Sequence, residues 1–127
     1  WLDRAGEDIQ CAQLLLRDDN CYNACAFHCQ QCIEKSLKAY SLFKTGRPLD
    51  GHNLTWLCRQ AAKHDRAFNR WLDDSAQLNR YYIQTRYPSD MALPITAETV
   101  NHLYSVARDM YQFICMEVYG PGTVADD

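Results

Sequence analysis

The residues with the most chemical potential are concentrated in one short stretch. Residues 21–32 read "CYNACAFHCQQC" and hold four of the seven cysteines together with one histidine. Thiolates and imidazoles bind zinc, and thiolates also carry out redox chemistry. The cluster therefore raises three alternatives, which are a metal site, a redox site, or small side chains that pack inside a helix bundle.

The spacing of these cysteines favours packing. The segment from Cys21 to Lys44 contains no Gly or Pro and has a helical pattern. On a helix its first four cysteines fall within about 80° of one another, beside apolar residues. About 16 Å separates Cys21 from Cys32 along the axis, so one straight helix cannot bring four thiolates to an ion that binds sulfur at about 2.3 Å. We interpret them as packing residues and expect no metal. A site built from His28, Cys32 and a second helix stays open, as does a redox role.

The apolar periodicity extends this pattern to the whole chain and predicts an all-α, up-and-down bundle of about five helices, three of them long. The predicted helices cover about 2–18, 21–44, 53–63, 65–79 and 96–118. An ordered connector is expected over 80–95, since it lacks helical periodicity and has two prolines. We expect one domain over 1–119 and a flexible acidic tail over 120–127. Phe68, Trp56 and Trp71 are assigned to the core.

Composition excludes several classes of function. A net charge of −3 argues against a broad basic surface for nucleic acid. The chain has no apolar run long enough to cross a membrane, and its first residues lack the apolar stretch of a secretion signal. An odd number of clustered cysteines is typical of reduced thiols, which indicates a cytoplasmic location. Glycine-rich phosphate loops and common hydrolase or di-iron motifs are missing from the sequence.

Four segments, in order, carry a resemblance to a known family. "AFHCQQCIEKSLKA" at 26–39 resembles the signature second helix of the HEPN family, the higher eukaryotes and prokaryotes nucleotide-binding domain. "WLDRAGEDIQCAQLL" at 1–15 is similar to the opening segment of that family. "GHNLTWL" at 51–57 and "YYIQTRYP" at 81–88 are similar to two later segments. Together they extend the resemblance over roughly residues 1–118.

This resemblance implies a helical bundle that forms a homodimer and binds a nucleotide or RNA without a cofactor. Such domains are commonly encoded beside, or fused to, a small nucleotidyltransferase, so a nucleotidyltransferase protein is the expected partner. Some branches are toxins of toxin–antitoxin pairs and cleave RNA. Two alternatives therefore remain, which are a metal-independent ribonuclease toxin and a structural module with no ligand.

The ribonuclease branch carries an Arg-x4–6-His motif near the start of its last long helix. Arg47 with His52, and Arg59 with His64, have this spacing. About one such match is expected by chance in a chain of this composition, and neither pair lies where the branch places it. Arg108 lies in the last helix, but no His follows it at that spacing. These four residues are weak catalytic candidates, and binding without catalysis is the favoured interpretation.

Basic and aromatic residues supply better candidates for a phosphate site. Guanidinium and ammonium groups bind phosphate, and a tyrosine ring can stack on a base. The candidates are Lys35, Lys38, His52, Arg80, Arg86 and Tyr87. The alternatives are solvated charge pairs for the lysines, a structural tie for Arg86 and Tyr87, and a helix-start role for His52. We expect the cysteine side of helix 21–44 to face the interior and its lysine side to face solvent.

Overall fold

The computed structural model of the chain describes residues 1–84 and 95–120. Within them the chain forms five α-helices, as the periodicity predicts, and the all-α bundle is confirmed. They are α1 (Leu2–Leu15), α2 (Tyr22–Thr45), α3 (Leu54–Ala62), α4 (Leu72–Gln84) and α5 (Ala97–Tyr119). Short 3₁₀ segments at Asp19–Cys21 and Arg66–Trp71 precede α2 and α4. None of the described helices is long and apolar enough to cross a membrane.

Local sequence signals set several of these helix ends. The side chains of Asn53 and Thr96 accept hydrogen bonds from the backbone N–H groups of Trp56 and Thr99, at the starts of α3 and α5. Asp65 caps the 3₁₀ segment in the same way, through the N–H of Ala67. Gly46 ends α2 at a φ of 71°, a left-handed conformation that glycine adopts without a steric penalty.

Helix α2 is the centre of the bundle, because it contacts each of the other four helices. Its apolar residues Ile33, Leu37 and Tyr40 are almost fully buried, and the core continues through Phe68 and Met110 of neighbouring segments. Every side chain from residue 25 to residue 41 of α2 is buried or half-buried, so this stretch has no broad solvent face. The polar residues of α2 therefore form contacts with other segments of the protein.

Three of the four clustered cysteines lie in the interior, as predicted, whereas Cys21 precedes α2 and is partly exposed. Cys25, Cys29 and Cys32 have no exposed surface. The thiol of Cys25 donates a hydrogen bond to the carbonyl oxygen of Ala12 in α1 at 3.2 Å. Burial raises the pKa of the Cys32 thiol, which keeps it protonated. Across residues 1–84 and 95–120, no group of three or more His, Cys, Asp or Glu side chains could hold a metal ion.

The expectation that the lysine side of this helix faces solvent is wrong. Lys38 is 8% exposed, Glu34 is 5% exposed and Gln30 is fully buried. The reason is that α2 is central, so its polar side packs against α1, α3 and α4 instead of meeting water. The lysines do form charge pairs, but partly or wholly inside the protein.

Two further expectations need correction. Residues 80–84 continue α4 as helix, so they do not belong to the predicted connector. Trp56 is 43% exposed and does not belong to the core, whereas Phe68 and Trp71 are buried as predicted. Residues 85–94 of the connector, which include Arg86 and Tyr87, lie outside the described residues, and so do residues 121–127 of the expected tail.

A close approach joins the first and last helices. A Cβ atom added to Gly6 of α1 would lie 2.9 Å from the hydroxyl oxygen of Tyr111 in α5. Glycine is therefore the residue that lets this tyrosine pack against α1.

Candidate functional site

The buried carboxylate of Glu34 is the centre of the polar site. Lys38 Nζ donates to Glu34 Oε2 at 3.3 Å, and Gln30 Nε2 donates to Glu34 Oε1 at 3.1 Å. His52 Nδ1 lies 3.0 Å from Oε1 and 3.1 Å from Oε2 of the same carboxylate. We call Gln30, Glu34, Lys38, His52 and Tyr82 the Glu34 cluster.

The cluster joins three helices. Gln30, Glu34 and Lys38 follow one another at intervals of four on α2, and so share a face. His52 precedes α3, and its ring stacks on Tyr82 of α4 with centroids 4.3 Å apart and planes 15° from parallel. One turn earlier on α4, the side chain of Asn79 accepts a hydrogen bond from the N–H of Leu54 at 2.6 Å. This bond fixes the start of α3 against α4 and hence the position of His52.

The environment of His52 determines what its ring can do. The Glu34 carboxylate is an acceptor, so Nδ1 of His52 carries a hydrogen toward it. Nε2 lies on the opposite edge of the ring, and 51% of the side chain is exposed. Because one ring face stacks on Tyr82 and Nδ1 meets Glu34, we infer that the exposed part consists of the Nε2 edge and the outer ring face. In its charged form this edge donates a hydrogen bond to an anion, and in its neutral form it accepts one.

A second buried carboxylate, Asp8 of α1, organises a separate cluster. Its Oδ2 accepts a hydrogen bond from Lys35 Nζ at 2.6 Å, and its Oδ1 lies 2.8 Å from His28 Nδ1. Asp8 is 7% exposed, and these charge-assisted contacts link α1 to α2. Each of the two clusters contains one buried carboxylate, one lysine and one histidine.

Sequence reasoning missed Asp8 as a site residue and assigned His28 only to an alternative metal site. A signal was present, because Asp8 follows Ala5 by three residues and precedes Ala12 by four, and both alanines are fully buried. A carboxylate on the apolar face of a helix is rarely buried without a partner. The partner could not be identified from the local sequence, since Lys35 lies 27 residues away.

The predicted phosphate-binding residues separate in the structure. Lys38 and His52 meet at Glu34, whereas Lys35 belongs to the Asp8 cluster. Arg80 is exposed on α4, two residues before Tyr82, and residues at that spacing on a helix face different directions. The structure therefore brings two of the candidates together.

The weak catalytic candidates also have partners in the structure that differ from the predicted pairs. Arg59 is exposed on α3, and His52 is held by Glu34. Arg47 and His64, one from each of the two sequence pairs, instead line the same open pocket of about 480 Å³. Among the described residues, no hydrogen bond joins the side chains of Arg47 and His52 or those of Arg59 and His64.

The fold and this site define an all-α bundle whose central helix contributes to two clusters, each formed by a buried carboxylate, a lysine and a histidine. The family model described as the HEPN domain matches residues 1–118. The chain therefore belongs to the HEPN family, as its four sequence segments predicted, and this supports a module of the nucleotide-binding or RNase type. No curated protein matches the chain.

Proposed function

We propose that this HEPN domain binds a nucleotide or single-stranded RNA at the Glu34 cluster, without catalysis of its own. The observation that carries the proposal is the position of His52, which is stacked on Tyr82 while Glu34 holds its Nδ1. A ring fixed on two sides loses little conformational freedom when a ligand binds, so its remaining edge and face are preorganised.

The two exposed parts of His52 suit the two parts of a nucleotide. A base can extend the His52–Tyr82 stack on the outer ring face, and aromatic stacking on bases contributes about 1–3 kcal/mol per base. The Nε2 edge of a charged imidazole donates to a phosphate oxygen. Lys38 balances the charge of Glu34, so a phosphate at His52 does not approach an uncompensated carboxylate.

We further propose that the domain is a cytoplasmic homodimer that acts with a nucleotidyltransferase, in a setting such as a toxin–antitoxin pair. Buried thiols such as those of Cys29 and Cys32 persist in a reducing compartment. Light scattering tests the dimer, which should have twice the mass of the chain. Co-purification with the product of a neighbouring nucleotidyltransferase gene tests the partner.

One observation favours metal-independent ribonuclease activity as a second candidate. A carboxylate that orients a histidine through Nδ1 leaves Nε2 available as a general base. Such a base could take the proton of an RNA 2′-hydroxyl group. In that case purified protein would cleave RNA in the presence of a chelator, and His52→Ala would abolish the cleavage.

Titration of ATP, GTP and a short single-stranded RNA tests the binding proposal. At least one of them should bind, and at 100 times its Kd it should stabilise the domain by about 2.7 kcal/mol. His52→Ala should weaken binding at least about tenfold, since it removes both the stacking face and the donor. His102→Ala is the matched control, because His102 is an exposed histidine of α5 and should have no effect.

If ATP, GTP and RNA all leave the melting temperature unchanged, the proposal is wrong and the domain is a ligand-free structural module. Equal weakening by His52→Ala and His102→Ala would also contradict it, because binding would then not be located at the Glu34 cluster.

A further inference from the structure

An open pocket separate from the Glu34 cluster lies where α2 ends. We call it the Arg47 pocket, and its volume is about 480 Å³. It is lined by Ser41, Thr45, Arg47, Leu49, Gln60, Ala61 and His64. This size falls within the range of about 300–1,000 Å³ that is typical of small-molecule sites.

The wall formed by the loop after α2 is fixed by hydrogen bonds. The hydroxyl of Ser41 donates to the carbonyl oxygen of Arg47 at 3.5 Å, and the hydroxyl of Thr45 donates to the carbonyl oxygen of Ser41 at 2.9 Å, with that of Arg47 farther away at 3.3 Å. The N–H of Arg47 donates to Thr45 Oγ1 at 3.1 Å, and Gly46 allows the sharp turn between them. The pocket is therefore formed before any ligand arrives.

The side chains that remain available in the pocket are hydrogen-bond donors. Gln60 Oε1 accepts a hydrogen bond from Lys63 Nζ at 3.1 Å, which leaves the amide N–H groups of Gln60 to donate. In the part of the chain that the structure describes, no ion pair or hydrogen bond engages the guanidinium of Arg47 or the ring of His64. A guanidinium, an imidazole and an amide around one cavity favour a ligand rich in acceptors.

We propose that the Arg47 pocket binds a phosphate monoester of about the size of a mononucleotide. Arg47 and His64 hold the phosphate, and Gln60 donates to the organic part, which packs on Leu49 and Ala61. This proposal is independent of binding at the Glu34 cluster. The carboxyl ends of α2 and α3 meet here and carry partial negative charge, which opposes an anion. The positive charge of Arg47 is therefore indispensable.

Isothermal titration with AMP and with inorganic phosphate tests this proposal. AMP should bind saturably, and inorganic phosphate should compete with it more weakly. Arg47→Ala should weaken AMP binding at least about tenfold, Arg47→Lys should restore part of it, and His64→Ala should have a smaller effect. Arg59→Ala is the matched control, since Arg59 is an exposed arginine of α3 that does not line the pocket. Circular dichroism confirms that each variant folds.

The outcomes separate this site from the Glu34 cluster. Loss of AMP binding in Arg47→Ala but not in His52→Ala supports the Arg47 pocket, whatever happens at His52. AMP binding that is lost in His52→Ala and kept in Arg47→Ala overturns this inference and leaves the proposed function standing. The absence of saturable AMP binding, or an equal loss in Arg59→Ala, also overturns it.

Discussion

At the scale of single residues, removing one buried charge of the Glu34 cluster should lower the free energy of unfolding strongly. Glu34→Leu leaves Lys38 buried without its carboxylate, and removing one partner of a buried ion pair costs about 3–5 kcal/mol. Urea denaturation measures this loss. The double variant Glu34→Leu/Lys38→Met should be more stable than Glu34→Leu alone, because no buried charge is then unpaired.

Glu7→Leu provides the control for this prediction. Glu7 forms an exposed ion pair with Arg4 at 3.6 Å, and its replacement should change stability by less than about 1 kcal/mol. A similar small effect of Glu34→Leu would show that Glu34 is not buried as described.

A pair of carboxyl groups near the end of α5 should make stability depend on pH. Asp65 and Glu117 share a hydrogen bond that raises the pKa of Glu117, with a further contribution from burial, and lowers the pKa of Asp65. A raised pKa means that folded Glu117 holds its proton more tightly than unfolded Glu117 does. This contribution is fully present below the ordinary value of 4.5 and is lost as the pH rises through the raised value. The stabilising contribution of Asp65 has the opposite pH dependence. It is present above the ordinary value of 3.8 and disappears as the pH falls below it.

Glu117→Gln should therefore raise the melting temperature at pH 7. The amide still donates to Asp65 but cannot ionise, so the repulsion between two carboxylates is removed. Between pH 4 and 8, the melting temperature of the variant should fall less above pH 4.5 than the melting temperature of the unchanged protein. Glu98→Gln, at an exposed position of α5, should keep the original pH profile. An unchanged profile in Glu117→Gln would refute the pairing.

At the scale of elements, the contact of α1 with α5 depends on Gly6. Gly6→Ala places a methyl group 2.9 Å from the Tyr111 hydroxyl oxygen, so it should destabilise the fold by about 1–3 kcal/mol. In a Tyr111→Phe background the same change should be neutral or stabilising, because alanine favours helix by up to about 1 kcal/mol. Denaturation of the four proteins of this cycle measures the coupling. Equal effects of Gly6→Ala in both backgrounds would show that the two residues do not touch.

The helices also show how much of the fold can be predicted from the sequence. The spans of α1, α2, α3 and α5 follow from local patterns and were predicted to within three residues, whereas the predicted helix 65–79 is a 3₁₀ segment followed by α4. The buried lysine side of α2 was not predicted, because periodicity assumes one dry face and one wet face. The central helix α2 contacts four other helices, and its polar partners come from distant positions such as Asp8 and His52. The pairing of Arg47 with His64 likewise depends on how α2 and α3 fold together.

At the scale of the whole molecule, the bundle should protect its sulfur-rich core. Cys11 is exposed and Cys21 is partly exposed, whereas the other five thiols are buried. A thiol reagent should therefore modify Cys11 quickly and Cys21 more slowly in the folded protein, and all seven cysteines in denaturant. Mass spectrometry of peptides locates the labels. Rapid labelling of Cys29 or Cys32 without denaturant would contradict the packing of α2 at the centre.

The same packing connects stability to the proposed binding function. Glu34 is held inside by the bundle, and it in turn holds the exposed ring of His52. The proposed ligand site at His52 is thus positioned by the buried charges of Glu34 and Lys38. We expect variants that disturb Glu34 to weaken both folding and binding, whereas His52→Ala should weaken binding with little effect on folding.

The most direct test of the central claim is an NMR titration that follows the ring nitrogens of His52. Without ligand, the Nδ1 of His52 should carry a hydrogen bonded to Glu34. Added nucleotide or single-stranded RNA should shift the Nε2 signal of His52 and leave that of His102 unchanged. If saturating ligand leaves His52 unperturbed, or shifts both histidines alike, the Glu34 cluster is not the binding site.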